Sequence, residues 1–298
     1  MNDLLNRIID MHIHTEPDLT KRNYNDFELV DAANRINARA IVIKSHHGST
    51  VERACLSNLY NKDKYKNNLT IFGGIVLNYE VGGLNPKAVE YALKLGAKIV
   101  WLPTIDARNE YIKRGKIGGI SPLNDKGEVK EELIEIFDLI AKYNAILATG
   151  HISYEETLKV VEKAREHNVK KIVITHPEYW IVNESIEEQK YLVEKYNVLL
   201  EKVYIQPLKD GHWVDNMKTD LEAIKAIGYK HIMIATDSGY YKNDPWEVML
   251  DKYVTYFFYI YSYKNNDKYI TYLLNNGISK EEIKYMTRVN QAKLLDLD

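Results

Sequence analysis

The sequence predicts a single (β/α)8 TIM barrel of the α/β class, and three observations lead to that fold. The chain has 298 residues, 45% of them hydrophobic and 28% charged, which suits two ordinary domains or one large barrel domain. Short β-rich runs alternate with amphipathic helical patterns as far as residue 237. No repeat and no Pro/Gly/Ser-rich linker divides the chain, so we expect one domain over residues 1–298.

Eight runs are predicted strands because each is rich in apolar and β-branched residues and is bounded by polar or turn residues. In chain order they are 7–14, 38–46, 69–78, 97–104, 144–151, 170–176, 198–205 and 230–237. The amphipathic segments between them predict helices, and several begin with Asn or Ser and end with Gly or Asn. Residues 245–298 are predicted to form C-terminal helices that close the barrel. A doubly wound open sheet is the alternative arrangement.

Composition limits the partners and the compartment. The formal net charge of -2 provides no basic field for nucleic acid. The single cysteine, Cys55, excludes an intramolecular disulfide, and the first ten residues lack an apolar run of signal-peptide length, so we expect a cytoplasmic protein. The apolar run 253–263 is too short for the roughly 20 residues of a membrane span. It predicts a buried helix or a subunit contact in a homo-oligomer.

Polar side chains stand at the ends of five predicted strands, where the catalytic groups of such barrels lie. In chain order these residues are His12, His14, Lys44, His46, His151, His176 and Asp237. A lone histidine at a strand end is more often a hydrogen-bonded structural residue than a ligand. Several nitrogen and oxygen ligands that converge on one axis, however, are typical of a divalent metal site.

The alternation of side chains along a strand predicts which of them face the axis. In strand one, the odd-numbered residues 9–13 are expected to face the helices and the even-numbered residues 10–14 the barrel axis. In strand two, the even-numbered residues 40–46 are expected to face the axis. Asp237 should share the inner face of strand eight with Met233 and Ala235.

Three further polar residues are weaker candidates as metal ligands. They are His47, Glu178 and Glu201. We expect surface positions or supporting contacts for them, and Glu201 is also a candidate for substrate binding.

Four short motifs resemble the metal-ligand pattern of the amidohydrolase superfamily, in strand order and across the whole barrel. They are DMHIH at 10–14, GH at 150–151, THP at 175–177 and ATDSG at 235–239. The ending RVNQAKLLDL is similar to the closing segment of that group, and other stretches resemble a single-domain branch for which the resemblance supplies no substrate. The resemblance implies that His12, His14 and Asp237 bind one metal and that His151 and His176 bind the same ion or a second one.

Two departures from the superfamily pattern matter. Many binuclear members carry a carboxylated lysine at the end of strand four, whereas this chain has Lys44 on strand two. A lysine inside a barrel needs a partner or neutralisation, so Lys44 pairs with Asp10, binds a substrate anion, or is carboxylated and bridges two metals. In addition, His12 lies so close to the N-terminus that the β-sandwich flanking many cyclic-amide hydrolases is missing, which disfavours a hydantoinase-like activity.

The reaction expected from such a site is hydrolysis by metal-activated water. The resemblance implies that Asp237 is both a ligand and the base that takes the proton from the water. Imidazole and carboxylate ligands without a nearby thiolate predict one or two ions of Mn²⁺ or Zn²⁺, with Fe²⁺ as a further option.

Two segments favour a small anionic substrate. Residues 106–127 contain Arg108, Lys113 and Arg114 and predict a lid over an anion, with a solvated loop as the alternative. Asn85 and Pro86 predict a helix start that offers N–H groups to phosphate or carboxylate. We therefore expect phosphoester hydrolysis slightly ahead of amide hydrolysis. Metal-dependent decarboxylation and non-catalytic metal or metabolite binding are the alternatives.

Overall fold

The computed structural model describes residues 4–259 and 277–297 and contains strands and helices in alternation. Within these ranges the strands are β1 (Ile9–His14), β2 (Ala40–Lys44), β3 (Thr70–Phe72), β4 (Gly74–Val76), β5 (Ile99–Trp101), β6 (Ile146–Ala148), β7 (Lys171–Ile174), β8 (Leu199–Val203), β9 (Ile205–Pro207), β10 (Trp213–Asp215) and β11 (Ile232–Ala235). The helices are α1 (Asp26–Arg35), α2 (Val51–Lys64), α3 (Pro86–Lys94), α4 (Arg108–Lys113), α5 (Glu131–Lys142), α6 (Tyr154–Glu166), α7 (Ile186–Tyr196), α8 (Met217–Ile227), α9 (Trp246–Tyr259), α10 (Lys280–Lys284) and α11 (Asn290–Leu295).

The parallel strands follow the order of a (β/α)8 barrel. One sheet has the order β1-β2-β3 and the other β4-β5-β6-β7-β8-β11, and β3 and β4 are halves of one predicted strand separated by Gly73. A side chain at Gly73 would put a Cβ 2.5 Å from the carbonyl oxygen of Thr50, so this close approach requires glycine. The predicted fold class is confirmed.

The seam between the first and the last barrel strand is closed by backbone hydrogen bonds beyond the end of β11. The N–H of Asp237 donates to the carbonyl of His12 at 3.0 Å, and the N–H of His14 donates to the carbonyl of Ser238 at 2.9 Å. The segment that follows β11 therefore lies against the end of β1.

Local sequence signals account for where many helices begin. Each capping box pairs an Asn or Ser side chain with the backbone three residues later and returns a Glu carboxylate to the cap N–H. The boxes are Asn25 with Glu28, Ser153 with Glu156, Ser185 with Glu188 and Ser279 with Glu282. The first three of these caps fix helix starts that follow a strand and its loop, and Ser279 fixes the start of α10.

The core has two layers, as the barrel requires. Apolar side chains between strands and helices form the outer layer, and a smaller inner cluster fills the barrel, with Val42, Trp101 and Met233 among its members. Leu294 and Leu295 of α11 join the inner cluster, so the C-terminal helix contributes to the barrel core as predicted.

The apolar run 253–263 lies partly in α9, and its last four residues lie outside the described residues. No helix in the described ranges has the length and apolar character to cross a membrane.

A β-bulge in β1 overturns part of the predicted side-chain alternation. The register against β2 shifts between Asp10 and Ile13, and Ile9 and Met11 pack in the inner cluster instead of facing the helices. The Asp10 carboxylate accepts hydrogen bonds from Thr236 Oγ1 at 2.6 Å and Trp246 Nε1 at 2.8 Å, outside the barrel axis. An extra residue in the strand inverts the alternation of side chains. The predicted inward position of Asp10 and outward positions of Ile9 and Met11 are therefore wrong.

Strand seven is also shorter than predicted. β8 ends at Val203, and an antiparallel hairpin of β9 and β10 follows it, with Trp213 opposite Pro207. The sequence pattern does not predict this hairpin.

Candidate metal centre

Three side chains at the mouth of the barrel bring their ligand atoms together. One atom each from His12, His14 and Asp237 lie within 4.8 Å of one another, forming a group that can hold a metal ion. Asp237 Oδ1 lies 3.0 Å from His12 Nε2 and 3.2 Å from His14 Nε2. These three residues are here called the triad.

The backbone after β11 places the triad carboxylate. Asp237 adopts a φ of 52°, a left-handed conformation that Asp tolerates better than most residues. Gly239 follows with a φ of +124°, and a Cβ there would lie 2.0 Å from the carbonyl oxygen of His14. Only glycine fits so close to β1, so the Asp-Ser-Gly turn brings Asp237 beside the two histidines.

Three histidines are oriented by a partner on Nδ1. His12 Nδ1 lies 3.1 Å from Glu201 Oε1, and His151 Nδ1 lies 2.9 Å from Glu110 Oε2. His46 Nδ1 lies 2.8 Å from Thr104 Oγ1. A partner on one ring nitrogen fixes the ring and leaves Nε2 for a metal, as is usual for histidine ligands.

The other predicted histidines surround the same space. Ring centroids are 4.8 Å apart for His14 and His46, 5.0 Å apart for His151 and His176, and 5.8 Å apart for His12 and His176. The Nδ1 atoms of His14 and His176 are buried and have no hydrogen-bond partner among the described residues. Because buried polar atoms without partners are rare, the Nδ1 atom of His176 is available as a further donor to a divalent cation, whereas His14 faces Asp237 through Nε2.

The charges within the site hold four of the candidate ligands in their metal-binding forms, but not His12. Burial lowers the pKa of His12, yet the carboxylates of Asp237 and Glu201 outweigh burial and raise it to about 9, so His12 must release a proton to bind a metal. Burial raises the pKa of Asp237, but His12 and His14 outweigh this and hold it well below its usual value. Burial lowers the pKa of His14, His46 and His176 well below 6.5. A metal ligand must be a carboxylate or a neutral imidazole, and these four groups meet that condition.

Lys44 lies inside the site and is 1% exposed. Its Nζ atom lies 2.9 Å from His12 Nε2 and 5.5 Å from the ring centroid of Trp101. Asp10 bonds Thr236 and Trp246 on the other side of β1, so the predicted pairing of Lys44 with Asp10 is wrong. Burial lowers the pKa of Lys44.

A cavity of about 260 Å³ opens above these residues. The predicted residues that line it are His14, Lys44, His46, Arg114, His151, His176 and Asp237. Arg22, which the sequence analysis missed, also lines it and donates to Asp18 Oδ2 from Nε at 3.1 Å and Nη2 at 2.9 Å. Arg114 bonds Glu110 and donates to the Tyr179 hydroxyl at 3.1 Å. The cavity therefore presents three cationic side chains, and two of them already pair with a carboxylate, Arg22 with Asp18 and Arg114 with Glu110.

Two predicted substrate-binding cations lie elsewhere. Arg108 lines a separate surface groove together with Lys130, and Lys113 is exposed. The buried face of α4 consists of Asn109 and Glu110, and Asn109 donates to the carbonyls of His151 and Ile181. Because this face packs on the barrel, Arg108 and Lys113 are turned away from the cavity.

The helix start at Asn85 does not offer free N–H groups. Asn85 is the N-cap and Pro86 the first residue of α3, as predicted. The Asn85 side chain accepts hydrogen bonds from the N–H groups of Lys87 and Ala88 at 3.1 and 3.3 Å. Because the cap already occupies these donors, this helix gives no support to an anionic substrate.

The three weaker candidates have different surroundings. His47 Nδ1 lies 2.8 Å from Glu80, Glu178 pairs with Lys202, and Glu201 lies beneath His12 and does not line the cavity. Glu201 therefore supports a triad ligand and is not placed to contact a substrate.

Several residues of the site escaped the sequence analysis. They are Arg22, Thr104, Glu110, Tyr179, Gln206, Trp213 and Tyr240. Most stand in loops or on a short helix, where no periodicity marks them. Trp213, a large aromatic residue in the polar stretch KDGHWVDN, carried the clearest signal.

Comparison with known proteins extends these observations. The model of a family of unknown function, DUF6282, matches residues 7–201. No curated protein matches the chain in sequence.

Solved structures share the fold. The chain is similar to an amidohydrolase from Pseudomonas aeruginosa, with 16% identity and a TM-score of 0.62 over 98% of this chain and 97% of that one. It is also similar to the probable dipeptidase PvdM from Pseudomonas aeruginosa, with 11% identity and a TM-score of 0.59 over 98% and 96% of the two chains. A dihydroorotase gives 12% identity and a TM-score of 0.56 over 98% and 83%. These likenesses confirm the amidohydrolase-like fold.

Proposed function

The chain belongs to DUF6282, a family of unknown function, and we propose that it is a metal-dependent hydrolase of a small anionic substrate. One observation carries the proposal. The triad of His12, His14 and Asp237 lies at the floor of a cavity that also presents the cations Arg22, Lys44 and Arg114. A metal site beneath a cationic cavity suits a reaction on a bound anion.

The metal is proposed to be one divalent ion on the triad, with His151 and His176 as further ligands of this ion or of a second one. Nitrogen and oxygen donors without a thiolate favour Mn²⁺, Zn²⁺ or Fe²⁺. Such an ion lowers the pKa of a bound water and polarises the bond under attack.

Five side chains are proposed to accept the proton, to hold the substrate and to orient the metal ligands. Asp237, with its depressed pKa, is ionised and is proposed to accept the proton of the attacking water. Lys44 and Arg114 are proposed to hold the anionic group, because each lines the cavity. Glu201 and Glu110 keep His12 and His151 in place through Nδ1.

We propose phosphoester hydrolysis as the first reaction to test, because cationic side chains crowd one small cavity. Amide hydrolysis is the second candidate, supported by the fold shared with an amidohydrolase and a probable dipeptidase. Decarboxylation and simple metal or metabolite binding follow from the sequence and remain alternatives.

The test begins with elemental analysis of the purified protein, removal of the metal and reconstitution with Mn²⁺, Zn²⁺ and Fe²⁺ in turn. Each form is then assayed on phosphomonoesters, on N-acyl amino acids and cyclic amides, and on carboxylic acids that release CO₂. We expect metal-dependent phosphate release, abolished in Asp237→Asn and unchanged in the exposed control Asp210→Asn. Turnover of another substrate class would replace the reaction, and metal binding without any turnover would leave only a binding function.

A further inference from the structure

Part of the cavity lining is aromatic and apolar. Tyr179, Pro207, Trp213 and Tyr240 form this part, here called the aromatic wall, while His14, Asp237 and the cations are among the other lining residues. A small anion alone, such as phosphate, would leave this aromatic surface without a partner. The wall therefore points to a second part of the substrate.

The β9–β10 hairpin contributes much of the wall and is fixed in place. Trp213 pairs with Pro207 across the hairpin, and the N–H of Asn216 donates to the carbonyl of Tyr204 at 3.0 Å. The Asn216 side chain also donates to the carbonyl of Val203 at 3.1 Å, which ties the hairpin to the end of β8. The hairpin is thus a firmly held part of the cavity.

Trp213 stacks on Tyr240, a residue of the loop after β11. Their ring centroids are 5.1 Å apart and their planes differ by 14°. Tyr240 is itself held by a β-bridge to Arg22. The two stacked rings cover one face of each other, and the outer faces and edges that stay free can contact a planar ring by offset or edge-to-face packing.

Gln206 adds a polar group to this surface. Its side chain lines the cavity, the residue is 8% exposed, and Oε1 has no hydrogen-bond partner among the described residues. A buried amide oxygen without a donor is unfavourable. A donor on a bound molecule would satisfy it.

We propose that the β9–β10 hairpin selects a substrate that contains a planar aromatic or heteroaromatic ring with a hydrogen-bond donor, in addition to the anionic group. The inference rests on the proposed function, because it assigns the substrate class of the same cavity. The volume of about 260 Å³ is below the roughly 300–1,000 Å³ of drug-sized pockets, so it suits a single ring. Trp213 and Gln206 are the specificity-determining residues.

The experiment compares two carboxylates of equal charge that differ in planarity. Benzoate and cyclohexanecarboxylate are titrated calorimetrically into the full chain, with and without reconstituted metal. Both carboxylates interact alike with a metal and with the cations. The ratio of their dissociation constants therefore measures the contribution of the aromatic wall. We expect benzoate to bind about three- to tenfold more tightly.

Variants of the hairpin assign the effect. Trp213→Leu should reduce the ratio to near one, and Trp213→Phe should keep most of it. The control His212→Ala lies on the same hairpin, is exposed and does not line the cavity, so it should leave the ratio unchanged. The melting temperature of each variant shows whether the fold survives.

A second pair of probes tests Gln206. We expect 3-aminobenzoate or 4-aminobenzoate to bind about three- to tenfold more tightly than benzoate to the wild type. Gln206→Met, which keeps the length of the side chain without its amide, should remove this gain and leave the ratio of benzoate to cyclohexanecarboxylate intact.

The outcomes separate this inference from the proposed function. Equal binding of benzoate and cyclohexanecarboxylate, or no binding of either, would overturn the inference even if the protein holds metal and turns over another anion. Absence of metal with an intact aromatic preference would overturn the proposed function alone. An aromatic preference that persists in Trp213→Leu would show that the hairpin is not its source.

Discussion

The Nζ atom of Lys44 lies 2.9 Å from Nε2 of His12, so the one lysine of the inner face of β2 contacts a triad ligand. We predict that Lys44→Ala lowers kcat/KM by tenfold or more. If the lysine binds the substrate anion, KM rises and the metal content is unchanged. If a carboxylated lysine bridges two ions, the metal content falls and a short carboxylic acid restores part of the activity.

Elemental analysis with steady-state kinetics distinguishes these two explanations. Lys202→Met is the matched control, because Lys202 is equally buried but bonds Glu178 and Gln189 on the outer side of β8. Wild-type turnover and metal content in Lys44→Ala would contradict both roles.

The second prediction concerns the triad itself. His12→Ala/His14→Ala should lose most of the bound metal because it removes two of the three ligands, while the circular dichroism spectrum stays that of the folded barrel. His167→Ala, a change of a histidine that pairs with Asp138 on the surface, should keep the metal. Full metal content in the double variant would rule out the triad as the site.

The third prediction concerns the carboxylates that hold the histidines. Glu201→Gln should weaken metal binding about 10- to 100-fold, because His12 loses the charged partner that fixes its ring. Competition with a chromogenic chelator measures the affinity directly. Glu110→Gln gives the same test for His151, and unchanged affinity in that variant would show that His151 is not a ligand.

The fourth prediction concerns the loop that carries Arg22. Arg53 of α2 donates to the Asp26 carboxylate, to Thr15 and to the carbonyl of Pro17, at 2.8–3.2 Å. Arg53→Lys retains the charge but cannot make this fork of bonds, so Arg22 should be less well placed and KM should rise several-fold with little change in kcat. The metal content should not change, and an equal fall in kcat would contradict a role in substrate positioning.

The fifth prediction is a pH dependence of stability from Glu184. Burial, together with the nearby Glu178, raises the pKa of Glu184 from 4.5 to about 8. Between these values the folded chain keeps a proton that the unfolded chain has lost. The free energy of unfolding should therefore fall as the pH rises through this window, by at most about 1.4 kcal/mol per pH unit.

Urea unfolding of the wild type and Glu184→Gln from pH 5 to pH 9 measures this effect. The variant mimics the protonated carboxyl, so it should match the wild type at pH 5 and exceed it in stability at pH 9. Parallel curves for the two proteins would contradict the assignment.

The sequence was sufficient for the fold because the barrel rests on a simple alternation of strands and helices. The sequence also predicted which side chains of β2 face the barrel axis. Ala40 and Val42 join the inner cluster, and Lys44 lines the cavity. Regular alternation needs only the local pattern. The roles of the candidate ligands remain predictions that the variants above address.

The sequence was insufficient wherever a contact joins distant parts of the chain. Asp10 faces outward because of the bulge in β1, and there it accepts a hydrogen bond from Trp246, 236 residues later. Glu201 meets His12 across 189 residues and Glu110 meets His151 across 41. A hydrophobic pattern records neither a bulge nor the partner of a buried polar group, so these features emerge only in three dimensions.

The seam between β1 and the segment after β11 has a consequence for the order of events during synthesis. His12 and His14 leave the ribosome early, but Asp237 emerges 223 residues after His14, and the turn at Gly239 must dock on β1 before the three side chains meet. A nascent chain that stops short of this turn has two histidines and no third ligand from the triad. Assembly of the complete triad is therefore a late step, and the assembled triad marks chains whose β1 has met the segment after β11.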